Sequence, residues 1–236
     1  MKKVLPIFRR EIFAYFYSPM AYIVIAVFLL INGWIFTSEM FLANDSSLRS
    51  LFGFTPFVFL FFVPAITMRL LSEEHKSGTI ELLFTMPISD LEIVLGKYLA
   101  GLGLLVASLL FTLPYALTII ILGEPDIGMM ITGYLGLVLM GASYVAVGTF
   151  ASTISGNQVI SFIIAFLIIF VLWLIDKFLM LIPPGLVGFF QYLSIDYHFE
   201  NIGRGVIDSR DIVYYLSMIV FMLSLAKLSL ESRKWS

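Results

Sequence analysis

Nine charged or titratable side chains stand together between two long apolar runs: Arg69, Glu73, Glu74, His75, Lys76, Glu81, Asp90, Glu92 and Lys97. A polar island of this kind, in a chain otherwise built of apolar stretches, is expected to serve contact with something in the water, with packing against the headgroups as the alternative. Other chemistry is excluded by residue type. There is no cysteine, hence no disulfide, thiolate metal site or cysteine nucleophile. No G-x-x-x-x-G-K-[ST] occurs, so no P-loop binds nucleotide. The Gly141–Val145 run GASYV lacks the second glycine of an intramembrane serine protease, and no histidine lies at membrane depth to act as its base. His198 stands near Asp196 and Glu200, but neighbouring positions on an irregular segment rarely converge on a metal. A polar surface contact is the expectation there.

The elements that position these residues are set by lipid. Sixty per cent of residues are hydrophobic and 13% charged, against roughly 25% charged in soluble domains. A spanning helix needs about 20 predominantly apolar residues. Six such stretches occur: Met20–Met40, Phe52–Leu71, Leu91–Leu122, Ile127–Ile154, Gln158–Met180 and Asp211–Glu231. Pro56 and Pro64 are expected to kink the second and Pro114 to bend the third. No cleavable leader is expected, because no small-x-small site follows the first apolar core. Lys2, Lys3, Arg9, Arg10, Arg69, Lys76, Lys97, Lys227, Arg233 and Lys234 fall on one side. Arg49, Lys177, Arg204 and Arg210 fall on the other. The positive-inside rule then makes both termini and the island cytoplasmic, and puts His75 and His198 on opposite sides.

Two surface elements complete the expected fold. Val4, Leu5, Phe8, Ile12, Tyr15 and Phe16 share one arc of an amphipathic helix over 2–17, with Lys3 and Arg10 facing away. Outside, 181–210 is too apolar for a plain loop. Pro183-Pro184-Gly185 should break the fifth helix, and Leu186–Tyr192 is expected to form a short helix that dips back into lipid, with a solvated hairpin as the alternative. The whole chain, 1–236, is expected to be one transmembrane domain. Glu39, Asp176 and Lys177 sit at outer span ends, so no charge lies at the midplane and an external energy source is expected. Phe57, Phe59, Phe61 and Phe62 are expected to serve lipid contact or bundle packing, with a pathway lining as the alternative. Gly96, Ala100 and Gly103 on the third span, and Gly141, Gly148 and Ser152 on the fourth, mark close helix approach, within the chain or between subunits.

Within the island, Ser89 and Glu92 read as a capping box that starts the third span in water. Ser77-Gly78 reads as the N-cap of a short helix, Thr79–Thr85, ended by Pro87. The segment EEHKSGTIELLFTMPIS, followed by EIVLGKY, resembles the link between the second and third spans of ABC-2-type transporter permeases. That pattern, E-x-x-x-G-T-x-E-x-L-x-x-x-P then G-K, is met by Glu74, Gly78, Thr79, Glu81, Leu83, Pro87, Gly96 and Lys97. The resemblance implies an all-α integral membrane fold of the type V exporter-like kind. It has six transmembrane helices, an interfacial helix, a coupling helix over 77–87 and an outer re-entrant hairpin. It further implies an ABC ATPase partner contacted by Glu73, Glu74, Gly78, Thr79, Glu81, Leu82, Leu83 and Pro87. ATP and magnesium would sit on that partner, with no catalytic, cofactor or metal site in this chain. LSIDYHFENIGRGVIDSRDIVYYLS, with LESRKW at the end, is similar to the permease subunit of bacterial gliding-motility ABC transporters. That implies a bacterial inner membrane and a partner with a large extracytoplasmic domain. Six spans enclose little volume, so a permease homodimer is expected. The alternative is a mechanotransmitting scaffold that moves an extracytoplasmic partner and carries no substrate.

Overall fold

The computed structural model describes residues 3–42, 47–81, 87–123 and 126–232. Eleven α-helices occur among them: α1 Val4–Tyr17, α2 Pro19–Leu42, α3 Arg49–Thr67, α4 Ser72–Ser77, α5 Asp90–Leu110, α6 Leu113–Leu122, α7 Ile127–Ile154, α8 Gln158–Lys177, α9 Pro184–Leu193, α10 Ile195–Gly203 and α11 Ser209–Ser232. A short 3-10 turn, Leu179–Leu181, follows α8. Six helical stretches are long and apolar enough to cross a membrane, at Pro19–Phe41, Arg49–Ser77, Asp90–Leu122, Ile127–Ile154, Gln158–Lys177 and Ser209–Ser232. The all-α, six-span expectation therefore holds. The side bearing α1 and α4 is called the terminal face, and the side bearing α9 and α10 the hairpin face.

The third span is broken instead of bent. The α-helical ladder stops at Leu110 and restarts at Leu113, with Pro114 in the first turn of α6. A proline there forfeits no helical hydrogen bond. Thr112 seals the break, donating its N–H and hydroxyl to Leu109 O at 3.0 and 2.6 Å. The fifth span ends at Lys177, three residues early, because the 3-10 turn takes over before Pro183.

The bundle is organised around α7, the most buried of the six spans. It is apolar all round, as a helix enclosed by others must be. Its small residues set the approach distances. A Cβ on Gly141 would lie 2.6 Å from Leu105, and one on Gly148 would lie 2.6 Å from Thr67 Cβ. Both contacts lie within the chain, so this stripe serves internal packing. Asn32 and Thr55 join α2 to α3 by a buried hydrogen bond of 2.9 Å. Of the aromatic run, Phe59 and Phe62 are core, whereas Phe57 and Phe61 are exposed.

On the hairpin face, Ile195, His198, Phe199 and Ile202 form the buried stripe of α10. Phe199 and Ile202 press on Gly136 of α7. α9 covers the expected Leu186–Tyr192 helix but buries none of its residues, leaving Leu186, Phe189 and Tyr192 exposed.

Candidate functional site

The terminal face carries the polar island, and its centre is a closed ring of charge. Arg10 Nη2 lies 2.8 Å from Glu11 Oε1 and 2.9 Å from Glu74 Oε1. Lys97 Nζ lies 3.3 and 3.1 Å from the same two oxygens and also donates to Leu70 O. Two cations and two carboxylates thus alternate, and each carboxylate oxygen serves both cations. Lys97 is only 1% exposed. A buried ammonium is tolerable only when paired and hydrogen-bonded, and here three acceptors surround it. The Arg10 guanidinium is held above its ordinary pKa, chiefly by its hydrogen bond to Glu11. Beside the ring lies a cleft of about 320 Å³, whose walls include Tyr15, Arg69 and Glu73. Among the described residues, Glu74 Oε2 is buried there without a hydrogen-bond partner.

Four elements bring the ring together. α1 supplies Arg10 and Glu11, the end of the second span supplies Leu70, α4 supplies Glu74 and α5 supplies Lys97. α1 docks because α5 has no side chain in its way. A Cβ on Gly96 would lie 2.6 Å from Ile7 Cγ2, and Gly103 meets Ile12 and Phe8 at 3.3 and 3.4 Å. The small-residue stripe on the third span is therefore the seat of α1. The docked face includes Ile7 and Glu11, which lie outside the arc read from the sequence. Arg10 was expected to face away, but it turns into the ring because Glu74 gives it a second carboxylate.

α4 itself was not anticipated. It is six residues long and polar, too short for hydrophobic periodicity to reveal. Its start is held from another span: the N–H groups of Leu71 and Ser72 donate to Ser152 Oγ of α7 at 2.7 and 3.0 Å. Its end is Gly78, at φ 71°, whose N–H reaches His75 O. Ser77-Gly78, read as an N-cap, is thus the close of one helix. A left-handed residue ends a helix most cheaply when it is glycine. The Ser89–Glu92 capping box is present as expected, with Glu92 N–H donating to Ser89 Oγ at 3.3 Å and Ser89 N–H to Glu92 Oε2 at 3.2 Å.

The expected ATPase-facing residues separate into three groups. Glu73, Gly78, Thr79 and Glu81 are exposed on the terminal face, as is Pro87, whose carbonyl accepts from Lys3 Nζ. Glu74 is directed inward, into the ring. Leu82 and Leu83, with most of the Thr79–Thr85 helix, lie outside the described residues; Ile80 and Glu81 are helical.

On the hairpin face His198 is buried, not a surface contact. Its Nδ1 lies 2.7 Å from Asp211 Oδ1 and its Nε2 3.0 Å from Tyr192 O, while the Tyr214 ring stacks on it at 4.0 Å. Asp196 and Glu200 turn elsewhere, to Lys177 and Arg204. Burial raises the Asp196 carboxyl above its usual range, partly offset by Lys177. Among the described residues no cluster of potential metal ligands occurs.

A family model described as ABC-2 family transporter protein matches residues 32–229, from the middle of α2 to near the end of α11. No curated protein matches the chain.

Proposed function

From the premise that the chain belongs to the ABC-2 transporter family, we propose that it couples a separate ATPase to the bundle through the charged ring on the terminal face. Membership makes it a membrane permease subunit of an ABC transporter, a transport subunit that is not itself catalytic. The observation that carries the coupling is the double tie on α4. Ser152 holds its start to α7, and Glu74 holds its middle to α1 and α5. A push on the exposed turn at Lys76–Glu81 is thereby delivered to three elements at once.

In this reading the terminal face is cytoplasmic, in a bacterial inner membrane. The ATPase, which carries ATP and magnesium, contacts Glu73, Gly78, Thr79, Glu81, Leu82, Leu83 and Pro87. Glu74 transmits from behind them. Two copies of the chain form the working unit, and the first and second spans of one rock against the fifth of the other. The buried pair His198–Asp211 fixes the hairpin layer as a rigid platform for an extracytoplasmic partner. A link to gliding motility rests only on the resemblance of 193–217 and the terminal LESRKW. The second reading, force transmission without cargo, is favoured by the absence of charged side chains along the exposed faces of α2 and α8 at mid-span.

The test is co-purification from native membranes in mild detergent, with ATPase activity assayed on the complex. The expected result is two copies of this chain with an ATPase. Leu82→Asp should release the ATPase and Glu81→Lys should cut stimulated turnover at least tenfold, with the chain still folded. An ATPase that binds and turns over normally with both variants would sink the assignment of this turn.

A further inference from the structure

One face of α8 carries Phe162, Phe166, Phe170, Trp173 and Lys177 at helical spacing. The rings are in contact in sequence, with centroids 6.3, 5.5 and 6.2 Å apart, and Lys177 Nζ stands 5.5 Å from the Trp173 ring. α3 runs alongside with a second set. Phe54, Phe57 and Phe61 are spaced 5.6 and 5.8 Å apart. Phe57 meets Trp173 at 5.9 Å and Phe61 meets Phe166 at 5.1 Å. The result is an aromatic ladder from near the terminal face to the hairpin face. The fifteen helical steps from Phe162 to Lys177 cover roughly 22 Å of the bilayer's ~30 Å hydrocarbon thickness.

The two ends of the ladder differ in chemistry. Its terminal-side half borders a groove of about 370 Å³ between α2, α3 and α8, and every lining residue is apolar. A hydroxylated or charged solute would find no hydrogen-bond partner among those side chains, so each polar group stripped of water there is penalised. The other end opens into a cleft of about 550 Å³ on the hairpin face, lined by Arg49, Asp176, Lys177, Asp196, Glu200 and Arg204 among others. Five of those six are mutually satisfied. Lys177 pairs with Asp196 at 2.6 Å and with Asp176 at 3.5 Å, and Arg204 pairs with Glu200. Among the described residues Arg49 has no ion pair. Phe52 and Gly53 line the cleft, and Phe57, one helical turn on from Gly53, lines the groove. A Cβ on Gly53 would meet nothing within 4 Å, so no side chain fills the space at that point.

We propose that this seam binds an amphiphile, with its hydrocarbon chain along the aromatic ladder and an anionic phosphate-type head at Arg49 in the hairpin-side cleft. Arginine suits such a head because its planar fork of donors matches a phosphate or carboxylate. The permease reading enters only in making this molecule the cargo; the binding site stands or falls without it.

The probe is dodecyl phosphate carrying a chain-end diazirine, photolysed on the purified full-length chain in nanodiscs. Label is expected on peptides from α3 and α8 around Phe57–Phe61 and Phe162–Phe166. Excess unlabelled dodecyl phosphate should abolish it, whereas inorganic phosphate or neutral dodecyl maltoside at the same concentration should not. Arg49→Gln should lower labelling at least tenfold. Gly53→Phe, which projects a ring into open space, should do the same while the chain stays monodisperse. Label spread over all exposed spans, or unchanged by both substitutions, overturns the proposal, and so does equal competition by the maltoside. No ATP or ATPase is needed, so an ATPase that co-purifies with an unlabelled seam leaves the permease reading intact and removes only this one.

Discussion

At the scale of single residues, Lys97 is the most demanding side chain in the molecule. Its ammonium is sealed off from water and depends on Glu11, Glu74 and Leu70 O for compensation. Lys97→Met leaves two poorly exposed carboxylates facing each other with Arg10 alone to serve them. Breaking a buried ion network from one side typically costs about 3–5 kcal/mol. Lys97→Met is expected to fall in that range by thermal unfolding in detergent, and Lys97→Met with Glu74→Gln to recover part of the loss. Equal stability of the single variant and the parent would show the ring to be ornamental. The residue types of this site were legible in the sequence, and so was the Ser89–Glu92 box, because a cap is a local matter. The ring was not. Arg10, Glu11, Glu74 and Lys97 are up to 87 positions apart, and only the seating of α1 brings them together.

At the scale of elements, the helices follow from length and hydropathy, since lipid leaves the backbone no alternative to internal hydrogen bonding. What the pattern could not supply was partnership. The glycines of the third span announce a close approach without saying that the neighbour is α1 and not a second subunit. The same limit hid α4, whose six polar residues have no period to detect. The seating of α1 can be tested through Gly96. Any side chain there drives into Ile7, and overpacking of this kind costs about 1–3 kcal/mol. Gly96→Val should free α1 to protease cleavage near Arg9-Arg10 and loosen the ring with it. Gly53→Ala is the control, because its added methyl meets open space and should gain up to about 1 kcal/mol of helix propensity. Equal protease resistance in parent and Gly96→Val would mean that α1 is held by something other than this contact.

Across the whole molecule, the chain is polarised. Among the described residues, ion-paired side chains gather at its two faces, and between them the groove of α2, α3 and α8 offers only rings and aliphatic surface. The family match begins at residue 32 and so omits α1, although α1 contributes half of the charged ring. The bond between Ser152 and the start of α4 has a consequence in time. A short polar helix at a water-exposed face would ordinarily open and close many times a second, and its amides would take up deuterium almost at once. Here the amides of Leu71 and Ser72 are tied to the most enclosed helix of the bundle, so their exchange waits on the rarest opening of the fold. Mass-resolved deuterium uptake should find those two amides among the slowest on the terminal face, with Ser77 to Thr79 among the fastest. Ser152→Ala should bring the two rates together. A signal arriving at Gly78 would then dissipate in local motion before it reached the bundle.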